Sequence, residues 1–353
     1  NRYAGIEIAD LTTDSNIVAG NYFGTDVSGN GPLPNANGIG LTTRPRFNLI
    51  DQNVISGNTN GGVVIYEQAD SNVVIRNLIG VAANGTGDLG NGTAGVLIAM
   101  GASGNVIGRV GEGNVIANND TLGVGITDAN SVKNSNIGNS IFNNGYLGID
   151  LFPAGPTAND AGDGDTGPNQ LQNFPVITSA VYDAGQDLAV IQGTLDMMPL
   201  TTQRIDVYIS DNDTLGYGEG MTWVGTSTAD ALGNWTVNIW GGVTDADLIT
   251  ATATDAVGNT SEFSANSSLI LNVVELPEMN IVEAYPNPAS GALYVVAGTD
   301  INRIEILDLT GKTIYSTECS QKRITIDLES IGIPAGSYLL LVHSDNETTA
   351  KHL

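Results

Sequence analysis

Cysteine is almost absent. Cys319 stands alone, so no internal disulfide can form, and one thiol with His343 and His352 cannot build a zinc set. Basic residues are scarce too: 12 Lys and Arg stand against 38 Asp and Glu, a formal charge of −26. Such a surface repels nucleic-acid phosphates and anionic lipid, and excludes both as partners. Aromatic residues make up 6 % of the chain, which leaves few platforms for stacking on sugar rings. No apolar run reaches the roughly 18 residues of a membrane span, so no transmembrane segment is expected. No basic and apolar leader opens the sequence, and an export leader is expected to lie outside it. The Glu, Lys and Arg of helical proteins give way to 45 Gly and to many Asn, Thr, Val and Ile, a composition for strands and tight turns. The fold class is therefore all-β. At 353 residues the chain exceeds the roughly 250–300 that one core supports, so two or three domains are expected.

Internal repeats organise the first part. Asn21-Tyr-Phe-Gly24 recurs as Asn77-Leu-Ile-Gly80, and Leu33-Pro-Asn35 as Leu89-Gly-Asn91. Within this long repeat lies a shorter one, a Gly-x-x-Ile strand followed by two Asn-x-Ile strands. The first element returns at Gly5, Gly38, Gly62, Gly95, Gly123 and Gly148. The others return at Asn16, Asn48, Asn72, Asn105 and Asn136, and at Asn21, Asn53, Asn77, Asn114 and Asn139. A unit of about 24–33 residues with three short strands is one turn of a three-sided solenoid. Alternation sends Ile6 and Ile8, or Val63 and Ile65, to the coil interior, and the Asn suit corners where amides bond from coil to coil. Phe23 and Phe142 are placed with Ile55 and Ile116 as core residues. Residues 1–152 on this pattern resemble right-handed parallel β-helix proteins, a family that includes polysaccharide lyases, glycosidases, tailspikes and adhesins.

After Leu151 the pattern stops, and 153–174 is a Gly/Asp-rich linker. From 175 to 275, strands Val176–Val181, Leu188–Leu195, Arg204–Ile209, Met221–Thr226, Trp235–Trp240 and Leu248–Thr254 read as a β-sandwich. The segment Ala251 to Phe263 resembles the closing strands of bacterial immunoglobulin-like modules. The last part carries Ala284-Tyr-Pro-Asn-Pro-Ala-Ser-Gly291, the hairpin Ile304 to Lys312, Ile333-Pro-Ala-Gly-Ser-Tyr338, and Lys351 near the end. Ile304, Ile306 and Leu309, with Tyr338, Leu340 and Val342, alternate as the inner faces of a small sandwich. Residues 276–353 resemble the type A C-terminal sorting domain of the Bacteroidota type IX secretion system. That resemblance implies passage across the outer membrane, with the secretion machinery as partner, and a secreted or surface-attached product. The expected fold is a right-handed parallel β-helix followed by two small β-sandwich domains.

Chemistry on the coils is sparse. The segments after the Gly-x-x-Ile strands stack Asp10, Asp14, Arg44, Arg46, Tyr66, Glu67, Asp70 and Asp128 into one ridge. Arg44 and Arg46 with Glu67 and Asp70 are the catalytic candidates, since a sugar-acid lyase needs a basic proton abstractor and a hydrolase two carboxyls. The alternative is that Arg between carboxylates relieves like-charge stacking. No His lies in the coils, and Lys133 is their only Lys. Two Gly-rich loops carry closely spaced carboxylates that can wrap calcium, Asp160, Asp163 and Asp165 on the linker and Asp211, Asp213 and Glu219 in the sandwich. Millimolar calcium is accordingly expected to raise the melting temperature. The expected function is a non-catalytic binding, adhesion or structural protein contacting glycans. The alternatives are a polysaccharide lyase or glycosidase and a self-associating surface layer or fibre.

Overall fold

The computed structural model describes residues 3–197, 202–211, 215–271, 282–344 and 348–353. The chain forms two compact units, Asn1–Asn272 and Val273–Leu353.

The first unit opens as a parallel β-helix with three sheets. One sheet stacks Ala4–Ala9, Asn37–Thr42, Val63–Ile65, Val96–Ile98, Val124–Ile126 and Ile149–Leu151 in parallel. The second stacks Ile17–Ala19, Leu49–Asp51, Val73–Ile75, Val106–Ile107 and Ser135–Asn136. The third stacks Tyr22–Phe23, Val54–Ile55, Leu78–Ile79, Val115–Ala117 and Ser140–Phe142. Register repeats the same side chain in columns: Ile8, Leu41, Ile65, Ile98, Ile126 and Leu151 lie one above the other and are buried. The recurrent glycine follows from this stacking. A Cβ on Gly62 would lie 2.6 Å from the Gly95 carbonyl oxygen and 2.9 Å from Ile79 Cγ2, so only Gly lets the next coil approach.

The corner asparagines form three ladders. Asn16, Asn48, Asn72, Asn105 and Asn134 make the first, each backbone N–H donating to the next amide oxygen at 2.8–3.0 Å. Asn21, Asn53, Asn77, Asn114 and Asn139 make the second, and Asn35, Asn58, Asn91, Asn119 and Asn144 the third. The last coil departs from the sequence reading. Asn134, not Asn136, takes the ladder position, because Asn136 pairs with Ile107 inside a strand and turns inward, buried. Phe23 stands opposite Ile55 and packs on the core, but Phe142 stands opposite Ala117 and is only half-buried, since Ile141 takes the place of Ile116.

A sandwich of two four-stranded sheets follows. One contains Asn234–Trp240, Leu188–Thr194, Val176–Asp183 and Ile270–Leu271, the other Gly220–Thr228, Arg204–Ser210, Leu248–Thr254 and Ser267–Ser268. Trp235, Val237 and Ile239 alternate inward onto Ile205, Val207, Ala251 and Ala253. Arg204–Ser210 is covered on both faces: Ile205 and Val207 enter the sandwich core, while Tyr208 joins the core of the coils. Tyr208 and Phe263 sit edge to face, centroids 5.5 Å apart, and close the apolar bore of the β-helix. Residues 259–264 are not closing strands as the sequence suggested, but a buried irregular segment laid against the last coil. There Asn259 Oδ1 accepts Lys133 N–H (2.6 Å), Thr260 Oγ1 accepts Asn136 N–H (2.9 Å) and Glu262 Oε1 accepts Leu151 N–H (2.8 Å). The linker takes part as well, because Asn169 in the turn Pro168–Leu171 accepts Asn134 N–H and ends the first ladder. An exposed coil end would leave these donors bare, and side-chain acceptors satisfy them instead.

The second unit is antiparallel. Ala292–Leu307 and Thr313–Asp327 form a long hairpin with register shifts, flanked by Glu283–Tyr285, Leu339–His343 and Thr348–His352. Its core comprises Leu293, Val295, Ile301, Ile304, Ile306, Ile326, Leu340 and Val342. Leu309 was expected inside but is 73 % exposed, because it falls in the turn where Asp308 binds the N–H groups of Thr310 and Lys312.

Candidate functional site

The ridge after the first-sheet strands gathers the residues singled out from the sequence, and most of its carboxylates are committed to backbone. Asp14 Oδ1 accepts Arg46 N–H from the next coil at 2.7 Å, Asp70 Oδ1 accepts Ser103 N–H at 2.9 Å, and Asp128 Oδ2 accepts Met100 N–H at 2.6 Å. Arg46 pairs with Asp70 at 3.2 Å. Glu67 Oε2 accepts the Thr43 hydroxyl at 2.9 Å, and Arg44 is outside any ion pair among the described residues. Arg44, Glu67, Gln68, Thr43, Leu11 and Met100 line an open depression of about 330 Å³. Leu11 and Met100, 61 % and 60 % exposed, give it an apolar rim. A second ionic stack went unnoticed in the sequence because its members do not recur: Arg76 binds Asp51 through two hydrogen bonds of 2.8 Å and reaches Glu112 at 3.1 Å.

The two acidic loops have different fates. On the linker, Asp163 accepts Gln172 Nε2–H and Asn173 N–H, while Asp160 accepts Gly164 N–H. Burial raises the Asp163 carboxyl above its ordinary value, with the Asp160 and Asp165 charges adding to it. Asp165 is raised by burial and by Asp160, and its Oδ1 is buried without a partner. In the sandwich, Asp213 lies outside the described residues. Glu219 and Asp211 face the last coil. Asn144 donates its N–H to Glu219 Oε2 (2.8 Å) and its Nδ2–H to Oε1 (2.7 Å), so Glu219 stands as the final rung of the third ladder. Asp211 Oδ2 accepts Asn143 N–H at 2.9 Å and Oδ1 accepts Glu219 N–H at 2.8 Å. Burial pushes the Glu219 carboxyl up to about 8. Among the described residues no three His, Cys, Asp or Glu side chains are grouped to hold a metal ion.

In the C-terminal unit the sequence motifs converge. Pro288 to Gly291, Ile333 to Gly336, Tyr338 and Leu353 surround one cavity of about 290 Å³, floored by Ile306 and Leu328. Tyr338 and Leu353 exchange backbone hydrogen bonds of 3.1 and 2.8 Å, and the Tyr338 hydroxyl donates to the Pro334 carbonyl at 2.8 Å. These bonds fix the Pro-Ala-Gly-Ser-Tyr segment and the chain end to each other. Residues 283–353 match the family described as the secretion system C-terminal sorting domain. This unit is a type IX secretion sorting domain. The protein is therefore exported, to the cell surface or beyond it. No helix among the described residues is long and apolar enough to cross a membrane.

Solved structures similar to the chain include dimeric latent PorU from Porphyromonas gingivalis, 18 % identical over 52 % of this chain and 20 % of that one, with a TM-score of 0.18. Another is the enzymatically active domain of tailspike protein 2 from bacteriophage CBA120, 11 % identical over 88 % of this chain and 59 % of that one, with a TM-score of 0.21. The chain thus spans a fifth of the PorU chain and under two thirds of the tailspike domain.

Proposed function

We propose that the body carried by the sorting domain is a non-catalytic binding or structural protein, with the ridge depression as a shallow docking surface for an extracellular glycan. The observation behind this reading is the commitment of Asp14, Asp70 and Asp128 to backbone N–H groups of adjoining coils. A hydrolase needs two carboxyls about 5–9.5 Å apart that are free to exchange protons or attack, and a lyase needs a base poised on the substrate. Carboxylates that fasten coil to coil are held away from either task. Arg44 and Glu67, with Leu11 and Met100 beside them, offer hydrogen-bonding groups and an apolar rim suited to a sugar. We further assign 175–275 to an immunoglobulin-like module, supported by its two packed four-stranded sheets, antiparallel except where Ile270–Leu271 joins Val176–Asp183 in parallel.

The test is incubation of the full-length protein with a panel of acidic and neutral polysaccharides, reading both retention and new chain ends. Retention of a polysaccharide without new reducing or unsaturated ends is expected, weakened by R44A combined with M100A. Release of such ends would make the protein an enzyme and overturn the reading.

A further inference from the structure

The joint between the last coil and the sandwich buries a second pair of carboxyl groups, distinct from the Asn144 rung. Asp150 lies at the centre of the last first-sheet strand, Ile149–Leu151, and is fully buried. Neither of its oxygens has a hydrogen-bond partner, although the backbone of Gly155 approaches it. Glu262, 3 % exposed, is its charged neighbour. Glu262 holds three segments together: Oε1 accepts Leu151 N–H from the coil at 2.8 Å, Oε2 accepts Thr157 N–H from the linker at 2.7 Å, and Glu262 itself belongs to the sandwich. None of the ion pairs among the described residues includes Asp150 or Glu262.

We propose that Asp150 and Glu262 form a proton-dependent latch, which holds the sandwich on the coil end while the pair carries a proton and loosens it when both are ionised. Glu262 is seated on the N–H of the residue that follows Asp150, and two ionised carboxylates buried in that one joint outside any ion pair lose their hydration without a counter-charge, so retaining a proton is the favourable state. Burial raises both groups, Asp150 to about 6 and Glu262 to about 7, where the Asp150 charge adds to the effect. A folded-state value above the unfolded one means that the stabilisation is complete below the unfolded values, near pH 4, and fades as pH rises. The window runs from about pH 4 to about pH 7, so the joint is tightest in acid and weakest above neutrality.

The test compares full-length wild type with D150N, which removes one charge at constant size, by thermal melting and by hydrogen exchange of peptides covering the strand Ile149–Leu151. At about pH 3.5, below the window, the two proteins are expected to melt close together; at about pH 8 D150N is expected to melt several degrees higher. Wild-type protection of this strand, corrected for intrinsic exchange, is expected to fall at least about tenfold between those pH values, with the strand Val63–Ile65 unchanged. If D150N fails to fold, D150A removes the same charge, and because Glu219 titrates in the same joint, the pH-dependent loss of protection must be smaller in that variant than in wild type. A difference between the variants that does not depend on pH, or wild-type protection that is flat across this range, would overturn the latch.

Discussion

Substitution of Asn77 separates the two jobs of a ladder asparagine. Its Oδ1 accepts the backbone and side-chain N–H groups of Asn53 at 2.9 and 3.0 Å, and its Nδ2 donates to Ile50 O, Ile75 O and Asn114 Oδ1 at 2.8–2.9 Å. N77A strands the buried Asn53 N–H and leaves three acceptors short of a donor. With about 1–3 kcal/mol for a buried group left unpaired, the expected cost is about 3–5 kcal/mol. N77D keeps the acceptor for Asn53 but turns a carboxylate oxygen toward three other oxygens in a dry corner, at a cost expected to exceed that of the alanine. Urea unfolding followed by far-ultraviolet circular dichroism should therefore rank wild type above N77A above N77D at neutral pH. The aspartate deficit should shrink in acid, because a buried carboxyl with a raised value recovers stability when protonated. Glu219 shows how a carboxyl group serves at a ladder end: the final rung only accepts from the coil, and its two oxygens meet two N–H donors. If N77D proves as stable as wild type, or more stable than N77A, the ladder's donor half does not contribute as argued.

Removing the plug with F263A should cost about 3–5 kcal/mol and lower the melting temperature of coil and sandwich together, because Phe263 belongs to the coil core while its chain belongs to the sandwich. Two separate transitions, with only the sandwich affected, would refute a shared core. D165N in calcium-free buffer should stabilise the protein by about 0.5–1 kcal/mol by removing a charge beside Asp160. A loss of stability seen with calcium and abolished by chelator would instead mark the linker as a cation site.

The coils were legible in the sequence because stacking imposes the same requirement on every turn. Gly62 and its equivalents, the inward Ile and Val, and the corner Asn each recur, and recurrence is visible without coordinates. The sorting domain was legible for another reason, since its turn and strand motifs keep a fixed order along the chain. What failed to show was everything used once. Asn259, Thr260 and Glu262 cap single N–H groups at the coil end, and nothing in a Asn-Thr-Ser-Glu-Phe stretch separates a cap from a strand. That Glu219 and Asp211 accept backbone amides of the last coil was equally hidden, because carboxylates on a Gly-rich loop have the same spacing whatever they face. Asn136 was misplaced because Asn134, two residues earlier, offers the same amide to the corner, and Leu309 because the alternation stops at the Asp308 turn.

The claim on which the account rests is that the C-terminal unit directs export. A reporter preceded by a signal peptide and followed by residues 276–353, expressed in a bacterium that possesses the type IX system, measures it directly. The account predicts that the reporter reaches the surface or the medium, and that it stays in the periplasm when these residues are deleted. Retention of the intact fusion in the periplasm, at the level of the deletion, would contradict it.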